Sequence, residues 1–163
     1  MELPAIHWLP LLPLLIVTAA AVGVLLVDLF LEGPEGDTLA WLSVLGLGLA
    51  GGASALLWGG EADTLGSSLV LDNYALFFNL LFCVAMILTV FMSVDYLQTT
   101  AVRAGEYYSL ALFATAGMMT MAAAKDLIVV FLGLEIMSIA VYVLAGIWRE
   151  EARSNEAALK YFL

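Results

Sequence analysis

Five long apolar runs, separated by short polar connections, set the pattern of the chain. They cover roughly Leu9 to Leu31, Leu39 to Trp58, Tyr74 to Leu97, Tyr107 to Ala124 and Leu127 to Ile147. Each approaches the ~20 residues that a helix needs to cross a bilayer. A helix satisfies its own backbone in lipid, as does a closed β-barrel. Barrel strands alternate apolar and polar over about ten residues, and these runs do not. The pattern therefore predicts an all-α fold, a polytopic transmembrane helix bundle with five full spans. The connections "EGPEGD" (Glu32 to Asp37) and "GGEADTLGSS" (Gly59 to Ser68) carry turn residues. Only about Lys125-Asp126 separates the fourth run from the fifth, which predicts a tight antiparallel hairpin. The stretch "RSNEAALKYFL" reads as the opening of a sixth helix, with Ser154 as its cap and Glu156 in its first turn. The sequence stops at Leu163, about ten residues into that helix, as expected of the N-terminal portion of a larger protein.

Composition agrees. Of 163 residues, 64% are hydrophobic and 12% charged, with a mean hydropathy of +1.05. Soluble domains run near half apolar, so the excess indicates an integral membrane protein. The net charge is −10, but most acids lie in the connections. A basic nucleic-acid footprint is lacking. The first Lys or Arg is Arg103, so the basic start of a cleavable signal peptide is lacking too. Trp8, Trp41, Trp58, Trp148, Tyr74, Tyr96, Tyr107 and Tyr108 fall at run ends, where interfacial aromatic belts form. Arg103, Arg149 and Arg153 follow the odd-numbered runs, whereas the N-terminus and the other connections hold only Lys125. That bias predicts an outer N-terminus and a cytoplasmic Arg149 loop.

Most candidate chemistry is ruled out. Cys83 is the single cysteine, so no internal disulfide forms, and it lies in an apolar run as a packing residue. His7, beside Trp8, reads as interfacial rather than as a ligand. No phosphate loop, metal spacing or nucleophile triad is present. Gly48 and Gly52 form a GxxxG spacing that would let helices approach closely. Met118, Met119 and Met121 read as core or lipid-facing.

One charge stands out. Glu135 lies within about two residues of the centre of the fifth run, where a carboxylate costs at least a few kcal/mol. It is either neutral or faces a cation or water inside the bundle. Ser138 and Tyr142 follow at i+3 and i+7 and share its face. That stripe can hold water or a partner side chain, or simply glue helices together. Lys160 lies about two turns into the sixth helix, with Glu156 at i−4, and spacing alone allows a surface pair as well as a function. Lys125 and Asp126 read as interfacial.

The residues from Gly105 to Gly146, "GEYYSLALFATAGMMTMAAAKDLIVVFLGLEIMSIAVYVLAG", followed by "SNEAALKYFL", resemble antiporter-like membrane subunit N of bacterial proton-translocating NADH–quinone oxidoreductase, respiratory complex I. "LDNYALFFNLLFCVAMILTVFMSVDYL" is similar to the third helix of that family, whereas the first two helices match in character only. The resemblance implies three N-terminal helices over 1–104 and, over 105–163, the start of the first antiporter-like repeat. It implies that Glu135 is the fifth-helix glutamate, paired with a lysine outside this sequence, and that Lys160 lies on the proton path. Electron transfer between NADH, FMN, iron–sulfur clusters and quinone would take place on other subunits, with no cofactor on this chain. Partners would be the other membrane and peripheral subunits and the lipid bilayer, in the bacterial inner membrane. This chain alone should not translocate protons. Two further readings compete with a subunit of complex I: a subunit of a stand-alone cation/proton antiporter, and a structural membrane piece in which Glu135 only packs.

Overall fold

The computed structural model describes residues 8–30, 36–60, 62–64, 68–100 and 102–163. Six α-helices are described: α1 (Leu12–Phe30), α2 (Gly36–Leu56), α3 (Asn73–Gln98), α4 (Ala104–Ala123), α5 (Leu127–Ala145) and α6 (Ala152–Phe162). The five expected runs became α1 to α5, with ends shifted by at most three residues. His7 and most of the first predicted turn lie outside the described residues.

Local chemistry sets the starts of the helices. A single 3-10 turn over Leu9–Leu11 leads into α1 and carries Pro10, which has no N–H to waste at a helix start. The Asp72 carboxylate caps α3 by accepting from Ala75 N at 2.8 Å. Asp126 caps α5 by accepting from Ile128 N at 3.0 Å. Each cap satisfies a donor that the helix leaves over.

α1, α2, α3 and α4 form the bundle, with α5 laid along α4 and α6 on α5. Its buried layer includes Val17, Val24, Leu47, Val90, Leu112 and Met119. Buried hydroxyls add no unpaired polar groups, because Ser43, Ser54 and Thr115 donate to the carbonyls of Leu39, Ala50 and Ala111 one turn back. Four helices, namely α1 with its leading turn, α2, α3 and α5, are long and apolar enough to cross a membrane. α4 meets the length but is built of smaller, less apolar residues. Ten of its twenty residues are buried, so its role is central packing rather than lipid contact, and small residues suit that place.

Three sequence expectations change. Gly48 and Gly52 face outward with nothing beside them. The close approach falls at buried Gly46, where an added Cβ would overlap Ala20 Cβ on α1. Tyr108 is buried in the core rather than placed in an interfacial belt. α6 starts three residues earlier than expected, with Glu151 rather than Ser154 at its cap. The Ser154 hydroxyl donates instead to Ala145 O at the end of α5, 2.8 Å away, and Glu156 consequently falls beyond the first turn.

A short hairpin was not foreseen. β1 (Ala62–Thr64) pairs antiparallel with β2 (Leu69–Leu71), register Ala62 with Leu71. Leu69 also bridges Ala124, and Lys125 N donates to Ser68 O at 3.0 Å. The hairpin thus ties the turn between α4 and α5 to the connection before α3. Strands of three residues carry no readable period.

Candidate functional site

The bundle has two distinct ends. At one, Asp28 closes α1, Asp37 opens α2, and Arg103 and Glu106 begin α4. Arg103 pairs with Asp28 at 2.8 Å and Gln98 reaches Asp37 at 2.9 Å. Arg149, just past α5, pairs with Glu106 at 2.7 Å. Of these residues, Arg103, Glu106 and Arg149 line a cleft of about 520 Å³ that also takes in Trp148 and Glu151. The other end carries the hairpin, the start of α3 and the Lys125-Asp126 turn.

Glycines set the place of α5. Gly117 of α4 and Gly133 of α5 meet backbone to backbone: a Cβ on Gly117 would lie 2.6 Å from Met137 N and 2.7 Å from Gly133 O. Gly133, Met137 and Ala140 recur at helical spacing, so this stripe of α5 faces α4. Glu135 is two residues from Gly133, about 200° around the helix. It therefore points away from the α4 contact. It is partly buried, one residue from the middle of α5, and no hydrogen bond or ion pair joins it to the described residues. Its flanks are apolar and open: Phe131, Leu132, Leu134, Ile136 and Ile139 are all exposed.

The stripe read from the sequence is present. Ser138 and Tyr142 continue the Glu135 face, and both are partly buried. Tyr142 is the point where α6 arrives, with its ring 5.4 Å from Tyr161 and 5.7 Å from Phe162. α6 thus folds back antiparallel to α5, and Gly146 meets Ala158 nearer the turn. Lys160, next to Tyr161, reaches the level of Tyr142. Glu135 lies seven residues along α5 from there, about 10 Å at the helical rise. The structure does not bring the two predicted site residues together. Lys160 pairs with Glu156 at 2.6 Å on an exposed face, the i−4 pair that the spacing allowed.

Sequence reasoning missed the Asp28–Arg103 and Glu106–Arg149 pairs, whose partners lie 75 and 43 residues apart. A signal existed. Asp28 is a lone acid inside the first apolar run, and a buried acid needs a partner. Its side chain is 15% exposed, whereas that of Arg103 is 58% exposed. Gly105 makes room for it, since a Cβ there would overlap the Asp28 side chain.

The arrangement is that of an α-helical membrane protein with an ionisable residue in mid-span, and residues 124–163 match the family described as NADH:quinone oxidoreductase/Mrp antiporter, transmembrane. That match covers α5, Glu135 and Lys160. Across nearly its whole length the chain is similar to NADH-quinone oxidoreductase subunit N. The protein of that name from Trichlorobacter lovleyi is 44% identical over 153 residues, 94% of this chain and 31% of the relative. That from Chloroflexus aggregans is 40% identical over 165 residues, 100% of this chain and 34% of the relative. Among solved structures, a chain of respiratory complex I from Thermus thermophilus with bound aureothin has a TM-score of 0.74 and 29% identity. It covers 92% of this chain and 32% of its own length. The chain spans about a third of the length of the curated relatives it matches. The likeness takes in α1 and α2, which in the sequence matched in character only.

Proposed function

We propose that the chain forms part of a membrane subunit of proton-translocating NADH–quinone oxidoreductase and works in proton transfer through Glu135. The observation that carries this reading is the partly buried carboxylate at the middle of α5, inside the stretch that matches the oxidoreductase and antiporter family. The names of the relatives favour the oxidoreductase over a stand-alone antiporter.

The chemistry follows from the position. A mid-membrane carboxylate is costly when charged and alone. A cation brought beside it favours the ionised form, and its withdrawal favours proton uptake. Movement of a lysine from a segment beyond this sequence would therefore switch the proton at Glu135. Lys160, a turn before the level of Ser138, would pass protons on the same polar stripe. Electron transfer would occur on other subunits, with NADH, FMN, iron–sulfur clusters and quinone bound there. Residues 1–104 would form the three N-terminal helices and 105–163 the opening of the first antiporter-like repeat, in the bacterial inner membrane with the N-terminus outside.

The test is Glu135→Gln in the complete protein in native membranes, with NADH–quinone electron transfer and the proton gradient recorded on one sample after assembly is verified. Both activities are expected to fall together. An assembled complex with both activities intact would leave Glu135 as a packing residue and end the proposal.

A further inference from the structure

Asn79 lies in the second turn of α3 and is 3% exposed. Its carbonyl oxygen, Oδ1, is buried and meets no donor among the described residues. No other side-chain atom among the described residues shares that condition. The buried hydroxyls nearby bond back to their own helices, but an amide oxygen only accepts and needs a donor from elsewhere. A buried carbonyl left unpaired costs about 1–3 kcal/mol.

Asn79 lines a cavity of about 20 Å³ beneath the hairpin. The other walls are Pro10 and Leu11 of the turn before α1, Leu14 of α1, the strand β2, and Met119 and Ala123 of α4. One water needs about 10–15 Å³ on this measure, so the space takes one water and no larger ligand. Among the described residues no charged side chain lines it. A dry cavity is expected only where every wall is apolar, and here one wall is an unpaired amide oxygen.

We propose that one ordered water occupies this cavity and donates to Asn79 Oδ1. Its second hydrogen would go to a carbonyl of the wall. Ala123, the last residue of α4, is part of that wall, and a backbone carbonyl has two lone pairs, so a bond to the neighbouring strand leaves room for a second donor. The water therefore links α3 to the end of α4 under the strand that covers both. This site is separate from Glu135 and does not depend on proton transfer.

The test is a density map of the complete membrane-embedded assembly, at a resolution that shows buried waters elsewhere in it. A peak about 2.8 Å from Asn79 Oδ1, inside the cavity, is the expected result. A second map, of Asn79→Leu, should lose that peak while the hairpin stays in place. A cavity without density in the parent map overturns the proposal, as does a protein donor on Oδ1 or a peak that survives in the variant. If the variant does not assemble, the parent map alone decides.

Discussion

Single residues divide here into those that hold the bundle and the one that has no structural employment in it. Asp28 is held by Arg103 and accommodated by Gly105. Gly105→Ala puts a methyl group into the Asp28 side chain and forces either the acid or α4 to move. Overpacking of this kind costs about 1–3 kcal/mol, so a lower thermal midpoint of the purified, assembled protein is expected, and a midpoint equal to that of the parent would show that α1 yields freely. Lys160 makes a contrasting case. Its exposed pair with Glu156 is worth only a few tenths of a kcal/mol. Lys160→Ala should leave assembly unchanged, so a fall in proton pumping would report on the proton path alone, and unchanged pumping would remove Lys160 from it. Glu135 stands out in the sequence because a lone carboxylate in a run such as "FLGLEIMSIAV" breaks the pattern of its own element. Asp28 with its arginine does not, because pairing across 75 residues has no local signature. Asn79 was silent for the same reason: its neighbours come from α1, β2 and α4.

Elements were legible in proportion to their length. α1, α3 and α5 each carry long apolar runs, and the bilayer requirement alone fixes them as helices. The hairpin of three-residue strands and the start of α6 were missed or misplaced, since tertiary contacts decide them: Ser154 is more useful bonding to Ala145 O than capping its own helix. Glycine spacing also misled. GxxxG at Gly48 and Gly52 states that helices could approach, not which face does so, and the bundle uses Gly46, Gly117 and Gly133 instead. The crossing of α4 on α5 yields a sharper prediction. The atoms that a Cβ on Gly117 would strike are backbone, Met137 N and Gly133 O, and they cannot rotate aside. Gly117→Ala should separate the two helices and lower stability by about 1–3 kcal/mol. Gly48→Ala, on an open face, should change stability little and may be read in the same unfolding experiment as a control. Equal effects from the two variants would contradict the crossing.

For the molecule as a whole, the two ends of the bundle carry different charges, and that difference predicts how it sits in the membrane. Arg103 and Arg149 share one end with Asp28 and Glu106 through the ion pairs that join α1, α4 and α5, Gln98 holds Asp37 at that end by a hydrogen bond, and Arg153 lies there beside Tyr96, Leu97 and Val102. The structure thus collects at one end the arginines that the sequence scattered over two connections. Arginine and lysine in short loops bias that end to the cytoplasm, and acids contribute little to the rule. The hairpin end is then expected to face outward. Single-cysteine labelling reads this directly. Cys83 is buried and is first replaced by Ala to remove its background. Glu150→Cys, at the arginine end, should resist a membrane-impermeant maleimide in intact cells and react once the cells are opened. Gly60→Cys, exposed before the hairpin, should react in intact cells. The reverse pattern would invert the bundle. It would also place the turn of α5 into α6, and with it the approach to Lys160, on the outer side, so that the direction of any proton movement through Glu135 would have to be reassigned.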